Sequence, residues 1–367
     1  MANSLKSTPK HIILSAGGTG GHVMPALEVA KALKEKGYSV SWIGTAEGLE
    51  ASAVPEAGIL LDVIPNYRMQ GHALMRKICA GWRLLTSIFI AFKLIKKNKA
   101  ALVIGLGGYV SAASGVAAKL ALTPLVIHEQ NALAGRTNRY LARVATKVLC
   151  AFPETFSPSR AAIVLGNPLR QSLFATAKKS QKLTAKPKPL NLIILGGSLG
   201  AQIFNEVVPE AISLMPDNCR PALWHQTGEK TYDIALKRYQ KYGIKAKISP
   251  FIKDMKAAYG FADIILCRAG ALTISELCLV GLPAIFVPYP YALDDHQRIN
   301  AERLVSKGAS LLLPQSEFTP ASLADRLSKL TKSPEILDGM AKKMLPLAKP
   351  NSTKDFVDVC HTLLSVE

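Results

Sequence analysis

The chain has no cysteine motif, no long apolar run and few acids, and each shortage removes a class of function. Its six cysteines (Cys79, Cys150, Cys219, Cys267, Cys278, Cys360) are scattered without C-x-x-C spacing. That excludes a disulfide framework or zinc module and reads as the reduced thiols of a cytosolic protein. The low-charge apolar run Leu84 to Phe92 is far short of the ~20 residues a crossing helix needs. Met1 to Lys10 is polar and lacks the apolar core of a signal peptide. G-x-G-x-x-G is absent, which argues against a nicotinamide oxidoreductase, and no glycine loop runs into the Lys-Ser/Thr of a P-loop. No D-x-D stands near Asp294-Asp295, and adjacent carboxylates point apart in most backbones, so neither a metal nor another cofactor is expected.

Acids are the scarcest class relative to their opposites. Lys plus Arg is 45 against 26 Asp plus Glu, a formal net charge of +19, which calls for an anionic partner. Between Asp62 and Glu129 there is no acid at all, while Arg68, Arg76, Lys77, Arg83, Lys93, Lys96, Lys97, Lys99 and Lys119 fall in that interval. Interleaved with them are Leu74, Met75, Ile78, Trp82, Leu84, Leu85, Ile88, Phe89 and Ile90. No nucleic-acid motif accompanies this stretch, and its aliphatic bulk is unlike a nucleic-acid surface. Basic, aliphatic and Trp side chains together are the chemistry of a membrane interface. Leu74, Met75, Arg76, Lys77, Ile78, Trp82 and Arg83 are the expected contacts with an anionic membrane. The same pattern also suits an amphipathic helix packed on its own sheet.

What the chain has is glycine loops after apolar strands. His11 to Ser15 runs into Gly17-Gly18-Thr19-Gly20-Gly21-His22, Val103-Ile104 into Gly105-Leu106-Gly107-Gly108, and Leu192 to Leu195 into Gly196-Gly197-Ser198-Leu199-Gly200. Ile264 to Cys267 leads to Gly270-Ala271-Leu272-Thr273-Ile274-Ser275-Glu276. A strand that turns at glycine into a helix leaves N–H groups at the positive end of a helix dipole, suited to phosphate. A carboxylate at Glu276, a turn above bound phosphates, is placed to accept from a ribose diol. Thr273-x-x-Glu276 is equally a capping box, so the residues alone leave both readings open.

With 367 residues and 49% hydrophobic content, the chain is long enough for about two domains. Strand-like runs alternate with helical periodicity, which predicts parallel α/β layers. Leu125 to His128, Lys147 to Cys150 and Ala284 to Pro288 read as later strands. Gly166-Asn167-Pro168 interrupts the pattern as a hinge, 176–189 reads as a surface loop, and helical residues run from Lys342 to Val366. The two matching starts make the expected units 1–167, 168–345 and a C-terminal helix over 346–367.

Several motifs in order resemble one family: Gly17 to Val23, Gly107-Gly108-Tyr109-Val110-Ser111, His128-Glu129-Gln130-Asn131, Gly166 to Arg170, Gly196-Gly197-Ser198, Trp224-His225-Gln226, Cys267-Arg268 with Gly270 to Thr273, and His296-Gln297 with Asn300-Ala301. Over nearly its whole length the chain resembles the MurG family, membrane-associated N-acetylglucosaminyltransferases that convert lipid I to lipid II in peptidoglycan synthesis. The resemblance implies a GT-B glycosyltransferase fold of two Rossmann-like doubly wound domains facing across a cleft, with the C-terminal helix returning to the first. It implies UDP-N-acetylglucosamine (UDP-GlcNAc) and lipid I, undecaprenyl-pyrophosphoryl-MurNAc-pentapeptide, as substrates. It also implies a peripheral location on the cytoplasmic face of the inner membrane and other cell-wall synthesis proteins as partners.

By resemblance, Glu276 takes the ribose hydroxyls, Ala271, Leu272, Thr273 and Ser198 face the diphosphate, and Ile252 meets uracil through its backbone. Arg170, Asn131, Thr19, Gly20, Gly21, Ile274 and Ser275 are further donor contacts, and Gln297 is placed for the sugar hydroxyls. The family usually carries Gln after Ser198, where this chain has Leu199. The implied reaction is an inverting displacement at the anomeric carbon, with helix dipoles taking the diphosphate charge. His22, in the first turn of a helix whose dipole disfavours imidazolium, is the candidate base. A carboxylate or the acceptor's own phosphate fits the same role, and a membrane-recruited binding subunit without turnover fits the same motifs.

Overall fold

The computed structural model describes residues 9–65, 74–177, 189–197 and 199–365. Most of the 176–189 loop, all of Ser198 and the side chains of Leu74, Met75, Arg76, Lys77 and Ile78 lie outside that description. The chain divides into two compact units, Met1–Leu169 with Asn351–Glu367, and Arg170–Pro350.

In the first unit seven strands form one sheet: β1 (His11–Ser15), β2 (Ser39–Gly44), β3 (Leu60–Val63), β4 (Ala100–Gly105), β5 (Leu125–Glu129), β6 (Lys147–Cys150) and β7 (Ile163–Val164). The order is β3-β2-β1-β4-β5-β6-β7, with every pairing parallel. Ile12, Ile13 and Leu14 are all fully buried, because helices cover both faces and a parallel strand then reads as a continuous apolar run. Helix Ser352–Ser365 adds Phe356, Val357, Cys360 and Leu364 to the core beneath one face.

The second unit repeats the plan with β8 (Asn191–Leu195), β9 (Ala222–Gln226), β10 (Lys247–Ser249), β11 (Ile264–Cys267), β12 (Ala284–Phe286) and β13 (Leu311–Leu312), in the order β10-β9-β8-β11-β12-β13. Phe204, Val208, Leu266, Leu323 and Leu327 anchor its core. In both sheets the strand order reverses beside the first strand, between β1 and β4 and between β8 and β11. Ligands of doubly wound folds bind at that switch, outside the carboxyl ends of the strands. All four glycine loops found in the sequence stand at these two places.

Two sequence expectations need correction. The helical residues expected from Lys342 to Val366 divide between two helices, Pro334–Met344 and Ser352–Ser365, separated by a 3₁₀ turn at Leu345–Leu347, so the C-terminal helix expected over 346–367 begins only at Ser352. Pro346 and Pro350 remove backbone donors there and disfavour helical geometry in the residues before them. Thr273-x-x-Glu276 is not a capping box either. Its helix, Ala271–Val280, starts two residues before Thr273, with Gly270 as N-cap and no side-chain cap bond. A true box stands at Thr319 and Ser322, at the start of helix Pro320–Lys332.

Candidate functional site

At the second unit's switch point, Gly270 ends the loop after β11 and helix Ala271–Val280 begins. The N–H groups of its first turn have no acceptor within the helix, and they carry the positive end of its dipole. Ser275 Oγ donates back to the Ala271 carbonyl at 3.0 Å. Ile274 is fully buried, and its N–H donates to Gly270 O at 2.9 Å. Glu276 follows one turn on and is only 3% exposed. The Tyr259 hydroxyl donates to its Oε2 at 2.7 Å, and Arg170 Nε stands 3.5 Å from its Oε1. The structure therefore brings two expected donor contacts, Arg170 and Glu276, into one ion pair and adds Tyr259, which the sequence reading did not name. Burial first, then the charge of Glu276, raises the Tyr259 phenol well above its ordinary pKa, so it acts as a donor.

The loops after β8 and β9 pack backbone to backbone. A β-carbon on Gly200 would stand 2.1 Å from Thr227 O, and one on Gly228 2.2 Å from Leu199 O. Only glycine allows that approach. Gln226 ties the loop to the strand ends, donating to Gly197 O at 2.8 Å and accepting from Ile252 N at 3.2 Å. Ile252 is buried and its N–H is thereby engaged. The Leu199 side chain is 84% exposed. Gln297 Oε1 accepts from Tyr289 N at 2.9 Å. Arg268 donates to the carbonyls of Val287 and Pro288 at 3.0 and 3.1 Å and to Gln315 Oε1 at 2.7 Å, fixing the loop after β12. Burial lowers its pKa to about 10, which leaves it charged at neutral pH.

The first unit's switch point holds the other expected residues. Thr19 caps helix Gly20–Glu35, which places Gly20, Gly21 and His22 in the first turn. Gly107, at φ +99, closes against His22: a β-carbon there would stand 2.9 Å from His22 Nδ1 and 3.6 Å from Gln130 Oε1. At the end of β5, buried Glu129 collects four donors. Asn131 N and Nδ2 reach Oε1 at 3.0 and 3.1 Å, while Gly135 N and Asn138 Nδ2 reach Oε2 at 3.0 and 2.9 Å. Asn131 is thus held by its own strand end. His128 Nε2–H donates to Gly166 O at 2.9 Å, and burial lowers its pKa to about 4. Asn167 Nδ2 donates to Gln130 O at 3.2 Å.

Helix Leu74–Lys97 carries the acid-free interval. Ser87, Ala91 and Ile95 face inward, buried. Trp82, Leu85 and Phe89 form an outward stripe, 74, 60 and 56% exposed, at the i, i+3, i+7 spacing of one helix face. Arg83 is exposed, and Lys93 Nζ lies 4.3 Å above the Phe89 ring. Among the described residues no helix is long and apolar enough to cross a membrane, and no group of three or more His, Cys, Asp or Glu is arranged to hold a metal ion. Asp295 pairs with Arg298 at 2.5 Å.

The chain matches the glycosyltransferase family 28 N-terminal domain over residues 12–150 and the C-terminal domain over 191–359. The UDP-N-acetylglucosamine--N-acetylmuramyl-(pentapeptide) pyrophosphoryl-undecaprenol N-acetylglucosamine transferase of Pseudomonas paraeruginosa is 47% identical over 350 residues, covering 95% of this chain and 98% of its own. The protein of the same name from Azotobacter vinelandii is 45% identical over the same shares. The crystal structure of Acinetobacter baumannii MurG superposes with a TM-score of 0.82 at 38% identity, covering 96% of this chain and 100% of that one. A UDP-GlcNAc 2-epimerase from Neisseria meningitidis shares the fold at TM-score 0.67 and 14% identity, covering 96% and 100%. Two domain matches in the order of the two sheets, and relatives aligned nearly end to end, leave one assignment: the chain belongs to glycosyltransferase family 28, in its MurG family.

Proposed function

We propose that the chain transfers N-acetylglucosamine from UDP-GlcNAc to the MurNAc 4-hydroxyl of lipid I, giving lipid II for peptidoglycan. Its near end-to-end likeness to transferases named for that donor and acceptor carries the reading. The second unit supplies the donor chemistry. The helix starting at Ala271 presents a positive dipole to the diphosphate, with the segment Ala271 to Ser275 and Ser198 as its contacts. Glu276, held by Tyr259 and Arg170, accepts from the ribose diol. Because the Ile252 N–H already serves Gln226, the Ile252 carbonyl is the group for the uracil imide N–H. Gln297 serves the sugar hydroxyls.

The acceptor belongs to the first unit. The 4-hydroxyl oxygen attacks the anomeric carbon from the face opposite UDP, the bond from that carbon to the diphosphate oxygen breaks, and configuration inverts. The hydroxyl proton passes to His22, and UDP leaves with the bonding pair. His22 Nδ1 is packed against Gly107, so Nε2 is the nitrogen assigned to that proton. Thr19, Gly20, Gly21 and Asn131 remain the proposed further contacts for UDP-GlcNAc. The exposed stripe of Trp82, Leu85 and Phe89 beside Arg83 and Lys93 is the surface we assign to anionic lipid, at the cytoplasmic face of the inner membrane.

A single assay tests the reading: radiolabelled UDP-GlcNAc with lipid I in detergent micelles. Labelled lipid II and stoichiometric UDP are expected. UDP-GlcNAc binding without turnover would instead identify a non-catalytic sugar-nucleotide-binding subunit.

A further inference from the structure

Three glycines from two separate stretches surround one carboxylate in the first unit. Glu50 is fully buried at the start of helix Glu50–Glu56. A β-carbon on Gly48 would stand 2.0 Å from its Oε2, one on Gly17 2.7 Å from its Oε1, and one on Gly44 2.9 Å from its Cγ. The socket exists because none of the three has a side chain. The donors that meet the carboxylate are neutral. Gly18 N reaches Oε2 at 3.0 Å, and Thr45 N and Oγ1 reach Oε1 at 3.3 and 2.8 Å. The Tyr109 hydroxyl lies 3.2 Å from Thr45 Oγ1 and extends the network to the segment after the second glycine loop.

A glycine loop between a strand and a helix offers its N–H groups to an external anion. Here the Gly18 N–H already has one, supplied by the chain. We propose that Glu50 is a positioning residue for the acceptor side of the reaction. Its charge fixes Gly18, held at φ +95, and so sets where Thr19, Gly20, Gly21 and His22 stand. The acceptor's diphosphate is left to the turn beyond Gly18, since a second anion at Gly18 would meet the Glu50 charge. This role rests on assigning the first unit to the acceptor.

Both Glu50 oxygens accept from N–H groups, so a carboxamide must turn its own NH₂ against one of them. Glu50→Gln therefore keeps the shape and loses the fit. Gly48→Ala keeps the charge and displaces it, and Thr45→Val removes one donor. The full-length chain is assayed with UDP-GlcNAc and a short-chain, water-soluble lipid I analogue, and UDP binding is measured by calorimetry. Glu50→Gln and Gly48→Ala are expected to lower kcat/KM for the acceptor roughly tenfold or more, with UDP affinity within about twofold of the parent. Thr45→Val should show a smaller loss of the same kind.

Unchanged acceptor kcat/KM in Glu50→Gln overturns the proposal, as do equal losses in UDP affinity and acceptor turnover, which describe a merely structural carboxylate. Should Glu50→Gln not fold, Thr45→Val decides by the same two readings. His22→Ala separates the role of Glu50 from the assignment of the first unit to the acceptor. If it too leaves the acceptor parameters unchanged, the acceptor assignment has failed. If it alone abolishes turnover, only the role of Glu50 has.

Discussion

Tyr259 and Glu276 form a short contact in the second unit's site, the phenol donating to Oε2 at 2.7 Å with both groups buried. The hydrogen bond holds the carboxylate in one rotamer, and Arg170 stands on its other oxygen. Glu276→Ala should raise KM for UDP-GlcNAc by an amount equivalent to roughly 1.5–3 kcal/mol, the value of a charge-assisted hydrogen-bond pair. Tyr259→Phe should raise it by about 1 kcal/mol, since the carboxylate keeps its charge and loses its orientation. Acceptor KM should be unaffected in both. Steady-state kinetics with each substrate varied in turn check this, and a folded Glu276→Ala protein with unchanged donor KM would remove the ribose assignment.

The sequence showed the elements that one short segment can specify. Apolar runs at β1, β5, β6, β8 and β11 are long enough to read directly, and the glycines after β1, β4 and β8 mark the turns at the switch points. The two-residue edge strands β7 and β13 carry no periodicity to find. Thr273 and Glu276 have the spacing of a capping box, and only the true helix start at Ala271 removes that reading. Tyr259 and Glu50 escaped notice as site residues for another reason. Tyr259 lies 17 residues from its carboxylate partner, and Glu50 lies 32 from Gly18. Tertiary folding joins such pairs, and no local pattern announces them. Gln226 stood in a recognised motif, but its bridging task depends on loops from two other strands.

Leaving-group stabilisation by helix dipoles carries a direct consequence for metal dependence. Saturating EDTA should leave initial rates of transfer nearly unchanged, because fixed N–H groups take the developing charge on UDP. Rates measured before and after chelation check this. Collapse under EDTA with recovery on adding magnesium or manganese would assign that charge to a cation instead.

Two buried histidines make stability depend on pH. Burial holds His128 at about 4 and His225 at about 3, against 6.5 for a free side chain. Below pH 6.5 the unfolded chain takes up protons that the folded chain refuses, so stability is complete above 6.5. It declines as pH falls, to about 4 for His128 and about 3 for His225, by an amount on the order of 8 kcal/mol in all. Urea denaturation midpoints at a series of pH values should fall across that window. His128→Gln, whose amide can still donate toward Gly166 O, should flatten the decline above pH 4. An unchanged slope would show that other groups set it.

The membrane assignment turns on the face of helix Leu74–Lys97 that the structure leaves outward. Trp82, Leu85 and Phe89 occupy it while Ser87, Ala91 and Ile95 hold the helix to its unit. Replacing the three outward residues by Ser should therefore spare folding. It should also remove apolar area that burial in lipid values at about 25 cal/mol per Å². The nearby cations add about 1 kcal/mol each at low salt, less as the Debye length shortens. The parent should sediment with phosphatidylglycerol vesicles at low salt and release partly at high salt, and Trp82→Ser/Leu85→Ser/Phe89→Ser should remain in the supernatant. Activity on a water-soluble lipid I analogue should survive in the variant, while activity on vesicle-embedded lipid I should fall. Unfolding of the variant would show the stripe to be packing surface, and normal sedimentation of a folded variant would place the lipid contact on another face.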